Sequence, residues 1–182
     1  MNLRPLPPEV VNLLSTHAAP PRLVAHLELV HDVAAELTEK LALRLPELKF
    51  DRKAVLMGAA THDIGKAICT RELSEHGSQH EELGHQILVA AGFPPAHARF
   101  ALTHGGAQRE PNPTIEDLLV RTADAIWKGG RYHDSEMELV RAIAEKLALP
   151  EWNAYSVLDE ILSELASSAS ERLLYHADHP TE

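Results

Sequence analysis

The chain has 182 residues, 45% of them hydrophobic and 24% charged, a balance that fits one ordinary folded domain and excludes a disordered or collagen-like chain. Its 17 basic and 27 acidic side chains give a net charge of −10, which argues against binding a nucleic-acid duplex, whose phosphates call for a basic face. The longest apolar stretches, Ala54–Ala60 and Ile87–Phe93, fall far short of the roughly 18 residues that span a bilayer, the N-terminal segment lacks a signal peptide's apolar core, and Cys69 has no intrachain disulfide partner. No membrane association and a cytoplasmic setting are therefore expected.

Leu and Ala dominate the apolar residues and alternating β-branched runs are absent, so the fold class is all-α. Prolines cut the chain into helical pieces, because proline suits a first turn but not an interior. The first helix is expected over about Pro8–Ser15. A long one follows over about Pro21–Leu45, with Leu23, Leu27, Val30, Val33, Leu37 and Leu41 in one apolar stripe. Asp51 is placed to cap a helix over about Arg52–His62. Further helices are expected over about Gln79–Ala91, Pro95–Thr103, Ile115–Trp127, Glu136–Ala148 and Glu151–Tyr175. Capping boxes are read at Ser78-Gln79-His80-Glu81, Thr114-Ile115-Glu116-Asp117 and Ser135-Glu136-Met137-Glu138. The result is a single domain over 1–182, a compact bundle of seven or eight helices. Its core runs over about 21–131, with C-terminal helices over 136–175.

The chain carries 12 histidines, five of them between His76 and His104. Histidine is the commonest metal ligand and the base that titrates near neutrality. The chemistry centres on Thr61-His62-Asp63-Ile64-Gly65-Lys66. The helix before it, Ala54–Ala60, is apolar on every side and so is expected to be buried. Asp63 then lies in a low-dielectric region at the negative end of a helix dipole, where an ionised carboxylate needs a cation or strong donors. A bound metal supplies that, and so would Lys66 or an arginine.

Adjacent His62-Asp63 followed by Ile64-Gly65-Lys66 resembles the signature of the HD-domain metal-dependent phosphohydrolases. Their pattern places an earlier His on a helix, with Val and Ala following at helical spacing. His26, Val30 and Ala34 fit it. Their late Asp fits Asp124 in Thr122-Ala123-Asp124-Ala125-Ile126. His80, followed by Gly84, and His104, followed by Gly105, resemble the two extra histidines of members with two metals. The resemblance covers about His26 to Arg131. It implies His26, His62, Asp63 and Asp124 on one divalent metal, with Asp63 bridging to a second held by His80 and His104. Oxygen and nitrogen ligands suit Mn, Fe, Mg, Co or Ni, one or two ions per chain.

The implied activity is hydrolysis of a phosphate ester or anhydride, with a small phosphorylated molecule of the nucleotide class as substrate. Asp63 and Lys66 are the candidate catalytic residues. Lys66, Lys128 and Arg131 are candidates for binding phosphate, and Arg109 is a weaker one. No Gly-Tyr-Pro segment follows His104, so the cyclic-dinucleotide phosphodiesterase branch is set aside. A closer resemblance is to small bacterial HD proteins that split symmetrical dinucleoside tetraphosphates. In them the late Asp is followed by Ile-Glu-Pro and then Arg. Here the segment is Ala125-Ile126-Trp127-Lys128-Gly129-Gly130-Arg131, so contacts to base and ribose do not carry over.

Two other readings remain at this point. The same pocket could serve a non-enzymatic sensor that binds a nucleotide or a metal. The chain could also be a helical scaffold, with Trp152–Tyr175 as the surface through which a homodimer forms. Leu158, Ile161, Leu162 and Leu165 are expected to cover the domain's own core instead. His31 lies five residues after His26, so the two point about 140° apart on a helix and do not share a site easily. His85 stands in the same relation to His80, and His76 is an alternative to it. His17, His97, His133, His176 and His179 are read as surface or partly buried residues, and Trp127 as core.

Overall fold

A computed structural model describes residues 1–105 and 112–181; Arg109 lies outside the described residues. Among the described residues the chain is all-α: ten α-helices, two short 3-10 helices and no strands. In chain order these are α1 (Pro8–Thr16), α2 (Pro21–Arg44), α3 (Arg52–Thr61), α4 (Gln79–Ala90), α5 (Pro95–Ala98), α6 (Phe100–Thr103), α7 (Ile115–Ile126), α8 (His133–Leu147), α9 (Glu151–Ser167) and α10 (Ala169–Ala177). The 3-10 turns, Ile64–Ala67 and Thr70–Leu73, fill the stretch between α3 and α4.

The count exceeds the expected seven or eight because two long pieces divide. Pro95–Thr103 splits at Arg99, whose backbone remains helical. Glu151–Tyr175 breaks at Ser168. There Arg172 turns inward, donating through Nε to the Trp127 carbonyl at 2.6 Å and through Nη2 to those of Ile126 and Leu165. A buried guanidinium on three carbonyls satisfies the end of α7 and the end of α9 together. That draws α10 out of line with α9.

Local signals explain most helix starts. The Asp51 carboxylate accepts from the Ala54 amide at 3.0 Å, and Thr114 forms a full capping box with Asp117. The other two boxes do not form. Ser78 makes no side-chain cap, because Glu72 takes the amides of Gln79 and His80 instead. α8 starts at His133, ahead of Ser135, and Glu136 turns to Arg131.

α2 is the central element, packed against α3, α7, α9 and α10. Every member of its expected stripe is buried. Two apolar clusters meet along it. Leu29, Val33, Leu37 and Leu41 pack with Val55 and Ala59 of α3, with Leu119, Val120 and Ala123 of α7, and with α8 and α9. Leu23 and Leu27 pack with Met57 and Ala60 of α3, with Ile64 and with residues of α1 and α4. His26 on α2 and His62 at the end of α3 lie at this seam, so polar groups enter the interior there without breaking either cluster.

Candidate metal centre

Six side chains from six elements converge at the seam. α2 supplies His26 and α7 supplies Asp124. His62 caps α3, and Asp63 follows it at the start of the 3-10 turn. His80 stands in the first turn of α4, and His104 caps α6. These are the metal-ligand candidates of the sequence, now in contact.

They form two groups around one carboxylate. His26 Nε2 lies 3.2 Å from His62 Nε2, and Asp124 Oδ1 lies 3.4 and 3.5 Å from those nitrogens. His80 Nε2 lies 3.2 Å from His104 Nε2. Asp63 stands between the groups. Its Oδ2 is 3.1 Å from His26 Nε2, while its Oδ1 is 3.1 Å from His80 Nε2 and 3.2 Å from His104 Nε2. His26, His62 and Asp124 form one set of donors able to hold an ion; Asp63, His80 and His104 form another.

The donor chemistry fits cations. The His62 ring donates through Nδ1 to the Ala59 carbonyl, and the His104 ring through Nδ1 to those of Phe100 and Ala101. His80 Nδ1 donates to Glu72 Oε2 at 2.5 Å. Each of these bonds sets the tautomer that leaves a lone pair on Nε2. Lone pairs therefore face each other at His80 and His104, an arrangement a cation relieves. Asp63 Oδ1 is buried and makes no hydrogen bond, although an orphaned carboxylate oxygen is costly. Ligand atoms about 2.0–2.2 Å from an ion sit roughly 3–3.5 Å from one another, as these do.

The electrostatics agree. Burial opposes ionisation of Asp63, but His62, His104, His26 and His80 more than offset it and hold its carboxyl well below the usual carboxylate range. Burial likewise opposes the charge on Asp124, and His62 and His26 outweigh it, so its pKa is also depressed. Burial acts to lower the pKa of His80, yet Asp63 and Glu72 raise it above the ordinary value.

The six donors all fall within a stretch that also matches by comparison. Residues 23–129 match the model of the HD domain family. The chain belongs to the HD domain family. Searches of curated proteins and of solved structures found no significant match.

Within this HD domain, Gly65 of the signature has a steric role. A Cβ there would lie 2.0 Å from the His80 carbonyl oxygen and 2.7 Å from the Gly84 amide. Only glycine lets α4 approach the 3-10 turn closely enough for His80 to reach Asp63. Lys66 Nζ donates to Asp63 Oδ2 at 2.6 Å, so the carboxylate meets both partners that the sequence left open, a lysine and a metal-type donor set. Lys128 lines the cavity beside Asp124. Arg131 does not. Its guanidinium is taken up by Glu136, Asp159 and Ser163, tying α8 to α9.

Other histidines stand elsewhere. His31 is buried beside Arg52 and Lys53 in a separate pocket, and His76 is exposed. Sequence reading missed Glu72, which orients His80 from the second 3-10 turn, eight residues earlier. It also missed the C-terminal contact. Trp127 is buried, with its ring edge-on to His26 at 5.3 Å and tilted against His176 at 5.0 Å. Burial and the nearby His26 and Arg22 push the His176 pKa down to about 4, so this ring is neutral at physiological pH. Spacing from the motif gives no signal for either residue.

Proposed function

We propose that this HD domain is a metal-dependent hydrolase of phosphate esters or anhydrides, acting on a nucleotide through a metal-activated water. One observation carries the reading: the two oxygens of Asp63 face two separate imidazole groups, His26 on one side and His80 with His104 on the other. A carboxylate placed between two sets of nitrogen donors suits a dinuclear centre. Two divalent ions held there would lower the pKa of water and neutralise the phosphoryl oxygens.

The chain's own residues do the rest. His26, His62 and Asp124 would hold one ion, and His80 and His104 the other, with Asp63 shared. Backbone carbonyls and Glu72 fix the rings, so little reorganisation is needed when substrate enters. Lys66, already at Asp63, can swing its ammonium toward a phosphoryl oxygen and offset the charge that builds there. Lys128 offers a second cation from the end of α7. Arg131 is better read as a brace between helices than as a phosphate ligand, since carboxylates occupy its donors.

Elemental mass spectrometry on untagged, freshly purified protein tests the reading, followed by a panel of nucleotides, dinucleoside polyphosphates and simple phosphodiesters with the metal found. The expected result is about two transition-metal ions per chain, as the ligand count implies, with turnover of at least one class. Metal uptake with tight nucleotide binding and no turnover would make the protein a sensor. Folding without any uptake of Mn, Fe or Mg would sink both.

A further inference from the structure

The cavity at the metal centre extends past it. It encloses about 520 Å³, within the roughly 300–1,000 Å³ of small-molecule sites. It runs from His104 and Asp124, along the end of α7, to the start of α8. Among the described residues its two ends differ in chemistry. The inner end carries His104 and Asp124 of the metal donors, with Arg121 and Lys128. The outer end carries Gly130, Tyr132, Ser135, Glu136 and Leu162.

We propose that the outer end binds a nucleoside, with the base stacked on Tyr132 and its N–H or O–H groups donating to Glu136. The substrate class would then be nucleoside monophosphates. This rests on the hydrolase reading for the phosphate end. Three observations carry it.

Tyr132 is an aromatic side chain in a cavity wall that is still 54% exposed. Its ring rests against Gly130, where a Cβ would come within 2.8 Å of Cε2. The missing side chain leaves room for the ring to approach the backbone there. An exposed, supported aromatic face is what a base stacks on, and stacking accepts any base.

Glu136 is fixed rather than mobile. Arg131 grips both its oxygens, Nε at 2.8 Å and Nη2 at 2.9 Å, and is itself held by Asp159 at 2.6 Å. A bidentate pair leaves lone pairs on each oxygen for a further donor. The brace that ties α8 to α9 thus also aims a carboxylate at the cavity.

The acceptor character of that carboxylate sorts the substrate. Arg131 balances its charge, and its oxygens only accept hydrogen bonds, so they suit hydroxyl, amino or imino groups and not phosphate oxygens. A ligand with one phosphate at the metals and an uncharged, planar, donor-bearing remainder fits both ends. A phosphate chain running outward would meet Glu136.

Two measurements on the metal-loaded full chain test this. The first compares kcat/KM for the four ribonucleoside 5′-monophosphates with that for ribose 5-phosphate, which keeps the sugar and phosphate but lacks the base. At least one nucleotide should exceed ribose 5-phosphate by on the order of tenfold. Tyr132→Ala should remove most of that ratio, chiefly through KM, and Tyr132→Phe should restore it. Glu136→Gln should reorder preference among the four bases. The second is saturation-transfer NMR with the free nucleosides, which needs no turnover. Binding is expected in the wild type and its loss in Tyr132→Ala.

The outcomes separate the two readings. Hydrolysis without discrimination from ribose 5-phosphate, and with no nucleoside signal, overturns the nucleoside end and keeps the hydrolase. Nucleoside binding that depends on Tyr132, with no hydrolysis of any phosphate compound, does the reverse. A dinucleoside polyphosphate hydrolysed faster than every monophosphate overturns the assignment to a single phosphate.

Discussion

The two halves of the metal centre are built differently. His26 and Asp124 stand inside α2 and α7, and His62 caps α3, three of the helices that build the main apolar cluster. Their positions follow from core packing. His80 and His104 come from the first turn of α4 and from just past the short α6. Their positions follow from caps and loops: Glu72 on His80, and the carbonyls of Phe100 and Ala101 on His104. Cores are close-packed and move little, whereas loop-built parts open at lower cost. The first triad should thus be the more rigid ion site and the second the more easily tuned. Asp63 belongs to both.

The largest effect should come from the shared residue. Asp63→Ala is expected to lower turnover by at least about a thousandfold, since both ions lose a ligand, and to lower metal content at both sites. Elemental analysis beside steady-state rates checks it. A variant that keeps one full ion and substantial turnover would break the notion of a shared carboxylate.

Next in size is Gly65→Ala, which leaves every ligand in place. The added Cβ meets backbone of α4 rather than a flexible side chain, so α4 must shift. Overpacking of this kind costs about 1–3 kcal/mol or more. The expected outcome is a lower melting temperature and loss of the second ion, with the first retained. Loss of both ions in a folded variant would show that the triads are not separable.

Glu72→Gln should act on the second triad alone. Loss of an oriented partner behind a metal-ligating His typically weakens affinity about 10–100-fold. Metal titration followed by calorimetry should show one weakened and one unchanged site. Equal weakening at both would contradict the contrast.

The smallest effect is on protons. In the metal-free protein Asp63 and Glu72 raise the His80 pKa despite its burial. The stability this adds is fully present below the unfolded value of about 6.5 and is lost as pH rises through the raised folded value. A metal needs the neutral ring. Binding at the second triad should therefore release roughly one proton near pH 6, and its affinity should climb with pH until His80 is neutral. Asp63 and Asp124, held below the usual carboxylate range, add no proton of their own. Calorimetry in two buffers of different ionisation enthalpy measures the release, and Glu72→Gln, which removes one of the groups that raise His80, should reduce it. An unchanged release in that variant would break the link to His80.

The same contrast explains what the sequence revealed. The all-α class, the stripe of α2 and the buried α3 are readable because periodicity and burial are local properties of a helix. The His62-Asp63 pair stood out for a physical reason, a charge at the end of an apolar helix. All six donors carried signature residues near them, so the family resemblance implied the set, but that His80 and His104 reach Asp63 depends on tertiary distances the sequence does not contain. Glu72, His176 and the steric role of Gly65 could not be anticipated, because each depends on which helices lie side by side. The caps at Ser78 and Ser135 failed for separate reasons. Glu72 took the amides at the start of α4 in one case, and in the other α8 begins two residues before Ser135, which puts that serine inside the helix.

The last helix returns to where the site begins. Arg172 holds the end of α7, Tyr175 donates to Glu28, and the Arg22 amide donates to the Pro180 carbonyl, while His176 lies over Trp127 beside His26. This has a practical bearing on how the protein is handled. An affinity handle joined after Glu182 would follow closely on the helix whose His176 lies beside His26, and a polyhistidine one would bring competing ligands near the first ion site. The exposed Met1 is the safer place for such an attachment, and metal counts from the two placements should not be assumed equal.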